Sequence, residues 1–473
     1  MASRILLISI NRYSKPEAVF PLGLAHINAA LRRAGHDTRW IDFNIDSQPL
    51  AAVLEEYHPH FVGVSVRNID DVLIRKRETC FGGLNAITET VRRVNPCPVI
   101  LGGCGYSIFP ERLLELAQAD YGIHGEGEES FPSLIAALAK GDDVTAIPGL
   151  VYRQGEGIVA NPRPSWRGTE GLETQDRPAG VVNYYLKENG MLNVLSQRGC
   201  AHTCCYCTYP LIVGHVCRRR PPEIVAEEMA QLKQQGAKYV FIVDAVFNSS
   251  SRHVAETCEA ILRRRLKIRW ACFLRPQGLT APLMDLMARA GLAHIEFGSD
   301  SFCDSVLEAY GKRLTFDDIR QSGELARANG VDHCHFLICG GPGETAETLE
   351  TSYENSRHLN DAVIMAMVGM RIYPGTPLWE RALEEGRIAR DTDLLTPAYY
   401  LAPGLAEDEI FARLQQFSMR SPNWITGDPP PAYTRLVARL RGQGIVGPLW
   451  GYFPMIQRLW PSMPANRNVS QPS

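Results

Sequence analysis

Two rhythms of apolar and polar residues alternate along most of this chain. RILLISI (4–10) is a short apolar run with the pattern of a strand. PLGLAHINAALRRAG (21–35) spaces its apolar residues as a helix does and stops at Gly35. DTRWIDFN predicts a second strand. FVGVSV (61–66) and PVILGG (98–103) are continuous apolar runs, as in parallel strands buried on both faces. PERLLELA opens with a proline suited to a first helical turn. DYGIHGEG and ESFPSLIAALAK complete a fifth strand–helix pair. Five such units predict an α/β domain over residues 1–145, built on a doubly wound, Rossmann-like parallel sheet. Residues 146–190 are rich in Pro, Gly and Arg and predict a linker with one small hairpin.

From residue 191 the alternation resumes. NVLSQRG, YVFIVDAVF, IRWACFLR, HIEFGSD, DHCHFLICGG and IMAMVGMRIYP predict six strands separated by helices such as PEIVAEEMAQLKQQG (222–236). Six units over 191–385 are too few for a closed eight-stranded barrel and predict an open (β/α)6 partial TIM-type barrel. Its reactive groups belong at the C-terminal strand ends. From 386 to 473 the pattern is irregular and helical, with Tyr399, Tyr400, Trp424, Tyr433, Trp450, Tyr452 and Trp460 spread along it; residues 465–473 predict a disordered tail.

Composition narrows the class. The 473 residues are 45% hydrophobic and 21% charged, enough for large cores without disulfides. The net charge is -3 with no block of like charges, so no nucleic-acid footprint is expected. The chain opens without a signal peptide and holds no apolar stretch of transmembrane length, which predicts a cytoplasmic protein. Its 13 cysteines are therefore expected to be reduced.

Four of them lie in SQRGCAHTCCYCTYP (196–210), where Cys200, Cys204 and Cys207 have the spacing C-x3-C-x2-C. A structural zinc site would need a fourth ligand, for which His202 and Cys205 are cramped candidates. A catalytic thiol would need one cysteine. An iron–sulfur cluster uses closely spaced thiolates, and three on a four-iron cluster leave one iron open. The loop begins at the end of the first barrel strand, after Gly199, and would project over the barrel mouth.

C-x3-C-x2-C with Tyr206 before the last cysteine, at the end of the first strand of a six-unit barrel, resembles the radical S-adenosylmethionine (SAM) superfamily. The resemblance implies that Cys200, Cys204 and Cys207 hold a [4Fe–4S] cluster whose open iron chelates SAM, with Cys205 left to packing. It implies SAM contacts from Tyr206 and from Gly340 and Gly341 in LICGGPGET. Glu296 and Ser299 in IEFGSDS are expected at the ribose, and the backbone at Ile372 at the adenine. Asp244 and Arg275, at strand ends, are candidates for SAM contact or for an ion pair within the barrel.

The order of parts adds a second resemblance. FPLGLAHINAALRRAGHDTRWIDFN followed by VILGGCGYSIFPERLLELAQADYGIHGEGEESFPSL is similar to the cobalamin-binding domain fused upstream of radical SAM barrels. Ser65, Arg67, Asn68, Gly102, Gly103, Gly125, Gly127 and Glu128 are the candidate cobalamin contacts. D-x-H-x-x-G is absent, which implies cobalamin without a histidine axial ligand. The family implies an enzyme that methylates an unactivated carbon through a 5′-deoxyadenosyl radical and methylcobalamin, on a small-molecule, peptide or lipid intermediate. A reductant such as flavodoxin or ferredoxin is the expected partner. A radical cyclase or rearrangement enzyme with the same cofactors, and a non-catalytic cobalamin or iron–sulfur sensor, are the alternatives.

Overall fold

A computed structural model describes residues 2–12, 17–163, 169, 172, 177–359, 361–426 and 431–454. Trp460 and the expected tail at 465–473 lie outside these residues. The N-terminal sheet has seven strands: β1 (Arg4–Ser9), β2 (Asp37–Asp42), β3 (Phe61–Ser65), β4 (Val99–Gly102), β5 (Tyr121–Ile123), β6 (Leu150–Gln154) and β7 (Gly157–Ala160). Their order is β2-β1-β3-β4-β5-β6-β7. The first five are parallel, and the order reverses between β1 and β3, the place where such sheets bind ligands. The hairpin β6–β7 extends the sheet antiparallel, with Leu150, Val151 and Tyr152 buried against it.

The second sheet begins with β8 (Met191–Val194). β9 (Gln197–Arg198) and β10 (Arg218–Arg219) form a separate two-residue antiparallel pair. The barrel continues with β11 (Tyr239–Ile242), β12 (Arg269–Leu274), β13 (Leu292–Asp300), β14 (Asp332–Cys339) and β15 (Val363–Val368). β16 (Met370–Arg371) pairs with β17 (Tyr399–Tyr400), and β18 (Trp424–Thr426) adds a seventh parallel strand beside β15. The resulting order, β18-β15-β14-β13-β12-β11-β8, is an open barrel of six units plus one short strand from the C-terminal region.

Period-2 alternation decides which side chains face the helices. Ile295, Phe297, Leu274, Ile242 and Val240 pack outward into a helix-covered core. Phe241, Phe273, Phe336 and Met365 face inward. The C-terminal segment closes the barrel floor: Val446 packs on Met191, Tyr239 and Ala271, and Trp450 on Cys334 and Val363. Tyr239 Oη lies 2.6 Å from His294 Nδ1, and the His294 ring meets Trp450 edge-on at 5.4 Å.

The two strand-end faces meet. Arg371 donates to buried Asp70 at 2.8 Å, tying the loop after β3 to the sixth barrel unit. Arg198 pairs with Glu126 at 3.3 Å and with Glu128, and Arg218 donates to Glu126 at 2.8 Å. Tyr185 Oη donates to Asp42 at 2.9 Å, and Asn193 Nδ2 to the Phe20 carbonyl at 2.9 Å. Both domains therefore present their C-terminal edges to one shared cleft.

Candidate cofactor cleft

The cysteine loop is held at its base by backbone geometry. Gly199 has φ +92°, and a Cβ there would lie 2.0 Å from the Val216 carbonyl oxygen, so only glycine fits against β10. Asp244 Oδ1 accepts from the Ser196 and Gln197 amides at 2.7 and 3.1 Å, and its Oδ2 accepts from the Ser196 hydroxyl. Burial pushes its pKa up to about 6. Glu228 lies between Arg177 at 2.6 Å and Arg220 at 2.7 Å, all buried, and these arginines also bond the carbonyls of Asn193 and Leu195. Further along, the Cys205 amide donates to Tyr310 O at 2.9 Å and the Leu378 amide to Cys205 O at 2.8 Å. Both sides of the loop are thereby fastened to the barrel rim.

Around the loop stands a polar cluster in which Tyr206 and Arg275 were expected from the sequence and Asp300 and Lys312 were not. Tyr206 Oη donates to Asp300 Oδ2 at 2.6 Å. Lys312 Nζ bonds the same oxygen at 2.7 Å and the Gly298 carbonyl at 2.6 Å. Arg275 donates to the carbonyls of Lys312 and Arg313 at 3.2 and 2.9 Å. Burial raises the thiol pKa values, that of Cys207 to about 12. Lys312 and Arg275 oppose this at Cys200 and Cys204. Such thiols become thiolates when a cation binds them. Among the described residues no three His, Cys, Asp or Glu side chains group around a single ion position. A donor set of one buried and two half-buried thiols spread along one loop, backed by two cations, suits a larger, thiolate-held iron–sulfur cluster. A cleft of about 490 Å³ opens beside Cys200, lined in part by His202, His215, Asn248, Arg275 and Gln277.

The other expected SAM contacts divide. Ser299 faces the outer layer, where its hydroxyl meets His335 Nδ1 at 2.7 Å, so it does not join the cysteines. Glu296 lies inside the barrel with Oε1 accepting from Trp450 Nε1 at 2.9 Å. Gly341 N donates to Tyr310 Oη at 3.1 Å and Gly340 N to the buried Glu344, so the glycine pair is engaged within the protein. Ile372 is buried, with its amide on Ala398 O at 2.9 Å and its carbonyl accepting from Arg371 at 2.6 Å.

Across the cleft, Ser65 continues the sheet beside Ser9 and Gly102. Gly103 has φ +106°, and a Cβ would meet Val66 O at 2.6 Å, so the chain crosses β3 there without a side chain. A Cβ at Gly102 would meet nothing within 4 Å, leaving that edge open to the cleft. Gly125 N donates to Ser107 Oγ at 2.9 Å. Gly127 packs near Ile27, and Glu128 is committed to Arg198. Asn68 and Arg67 are half-buried in the loop after β3, and Arg67 Nε has no hydrogen-bond partner. Cys104 and Tyr209 keep free surface (47% for Tyr209) although burial raises both their pKa values. Free surface on groups so enclosed marks the wall of an interior cleft. Tyr209 stands within electrostatic reach of both Cys104 and Cys207. An unsatisfied guanidinium nitrogen, an open glycine edge and an enclosed space between two strand mouths fit a large polar cofactor.

Family comparisons agree with this arrangement. Residues 194–355 match the radical SAM superfamily and residues 14–135 match the B12 binding domain. The chain belongs to the cobalamin-binding radical SAM enzymes. The family's cofactors are a [4Fe–4S] cluster, SAM and cobalamin. The tryptophan 2-C-methyltransferase of Streptomyces laurentii is 27% identical over 437 residues, covering 78% of this chain and 73% of that protein. An anaerobic magnesium-protoporphyrin IX monomethyl ester cyclase of Rubrivivax gelatinosus is 26% identical over 327 residues, 63% of this chain and 59% of that one. A radical SAM methyltransferase of Kitasatospora setae, TsrM, solved with cobalamin and a [4Fe-4S] cluster, shares the fold with TM-score 0.87 at 24% identity, over 97% of this chain and 98% of that one. Among the described residues of this radical SAM enzyme, no helix is long and apolar enough to cross a membrane.

Proposed function

We propose that this enzyme is a methyltransferase that moves a methyl group from SAM to an unactivated carbon of a small-molecule, peptide or lipid biosynthetic intermediate. The observation that carries this reading is the single cleft shared by the cysteine loop and the C-terminal edge of the N-terminal sheet. Cys200, Cys204 and Cys207 hold the cluster. Tyr206, Asp300, Lys312 and Arg275 surround it and orient SAM through hydrogen bonds and charge. Ser65, Arg67, Asn68, Gly102 and Gly103 line the cobalamin side, and none of these five is a histidine. When bound, the cluster supplies the electron that opens SAM to a 5′-deoxyadenosyl radical, and the corrinoid supplies the methyl group. The ion pairs from Arg198 and Arg218 to Glu126 and Glu128 seal one flank of the cleft and keep water from it. A small reductant such as flavodoxin or ferredoxin serves as electron donor.

The likeness to a cyclase supports a second reading, radical ring closure with the same cofactors. Anaerobically reconstituted protein given SAM with a labelled methyl group, cobalamin and reductant separates the two. Label transferred to the corrinoid, with release of S-adenosylhomocysteine, is the expected result. Release of 5′-deoxyadenosine with no label on the corrinoid favours the cyclase. Neither product favours a sensor that binds the cofactors without turnover.

A further inference from the structure

The inner wall of the barrel has an unusual burial pattern. Its outward residues are fully covered by helices, as expected. Its inward residues Phe241, Phe273, Phe336, Ile338, Met365 and Met367 keep free surface, although Val446 and Trp450 close the floor beneath them. Phe241 and Phe273 meet at 4.9 Å with tilted rings. The barrel interior above its floor is therefore not fully packed, and its wall is aromatic and thioether.

Glu296 is an ionisable group on that wall, two residues along β13 from the His294–Tyr239 pair at the floor. Its Oε1 accepts from Trp450 Nε1 at 2.9 Å. Among the described residues none donates to Oε2, and no cation faces the carboxylate. Desolvation lifts its pKa to about 7, so with the lumen empty the group readily takes up a proton, and an N–H donor at Oε2 would favour the ionised, accepting form. Glu296 precedes Asp300 by four residues on β13, which places it about 13 Å deeper than the Tyr206–Asp300 contact at the mouth. That depth separates it from the cysteine loop by the length of a small molecule.

We infer that Glu296 sets the substrate class: the barrel takes an elongated, ring-bearing apolar molecule whose buried end donates an N–H hydrogen bond to Glu296 Oε2. The molecule's far end then reaches the mouth, where the cofactors react. The aromatic wall grips the ring by dispersion and edge contacts. The carboxylate selects the donor, because a molecule lacking it leaves a buried acceptor unpaired. Glutamine at this position has one acceptor oxygen instead of two, so it serves either Trp450 or the ligand.

This inference rests on the mouth being the reaction site, but its test needs no turnover. Reconstituted holoenzyme without reductant is titrated with 4-ethylaniline and with its hydrocarbon isostere 4-ethyltoluene, followed by ligand-observed NMR. The wild type is expected to bind the amine at least tenfold more tightly. Glu296→Gln is expected to bring the two within twofold while cluster and corrinoid content stay unchanged. Met365→Trp, which fills the lumen from β15, two strands away in the sheet, is expected to lose both ligands. Equal affinities in the wild type, a preference that survives Glu296→Gln, retention of both ligands by Met365→Trp, or competitive displacement of the amine by SAM would each overturn the assignment. A holoenzyme that shows the preference yet consumes no SAM would sink the proposed function and leave the pocket standing.

Discussion

Replacing Gly199 by alanine tests how the cysteine loop is held. The φ of +92° costs a non-glycine residue about 1–2 kcal/mol. The new Cβ would also sit 2.0 Å from Val216 O, far inside contact distance, so β9 and β10 must part. Their pairing joins Arg198 to Arg218 and Gln197 to Arg219, and Arg220 N donates to Ser196 O at 2.8 Å beside it. Losing one or two of these hydrogen bonds costs about 1 kcal/mol each. The sum, about 2–4 kcal/mol, raises the population of the opened loop about 30- to 1000-fold. Because the loop carries the cysteines proposed as cluster ligands while the barrel core lies elsewhere, the chain should still fold. The assay is the loss of visible cluster absorbance under an iron chelator, in strict absence of oxygen. Gly199→Ala should bleach at least 30-fold faster than the wild type at unchanged secondary structure. Equal bleaching rates would show that the β9–β10 clamp does not control cluster retention.

Glu228→Gln leaves Arg177 and Arg220 buried with reduced compensation, and should lower stability to urea by about 3–5 kcal/mol while weakening iron retention. Asp70→Asn removes the buried partner of Arg371; corrinoid titration should show weaker binding, and limited proteolysis should cut faster between the two domains. Glu344 is buried, and desolvation lifts its pKa from 4.5 to about 7. The folded state therefore holds a proton that the unfolded state releases, so this group's contribution is full below about pH 4.5 and is lost as pH rises through 7. Glu344→Gln should flatten the fall in unfolding free energy across that window; an unchanged slope would assign the titration elsewhere.

The elements were legible wherever the pattern was local. RILLISI, FVGVSV and PVILGG correspond to β1, β3 and β4, and all six barrel strands begin within two residues of their predicted runs. The cysteine spacing was legible for the same reason, since one loop carries all three thiols. The surrounding charges were not. Lys312 lies in the turn YGKRL and Asp300 at a strand end, and only the folding of β13 brings both to Tyr206. Tyr209 and Cys104 approach one cleft from different domains, which no single segment reveals. For Ser299 a signal was available: strand alternation from inward-facing Glu296 turns it outward, toward His335. The glycines at 340 and 341 marked a real constraint, but it comes from Leu401, Ile410 and Tyr310 crowding the backbone.

The central claim is that Cys200, Cys204 and Cys207 hold the cluster on which SAM is opened. Its most direct measurement is iron content together with SAM consumption in the three single Cys→Ala variants, each reconstituted anaerobically with cobalamin and reductant. The account predicts close to four irons and SAM turnover in the wild type, with both lost in every variant while Cys205→Ala keeps them. Full iron and undiminished SAM consumption in all three variants would contradict it.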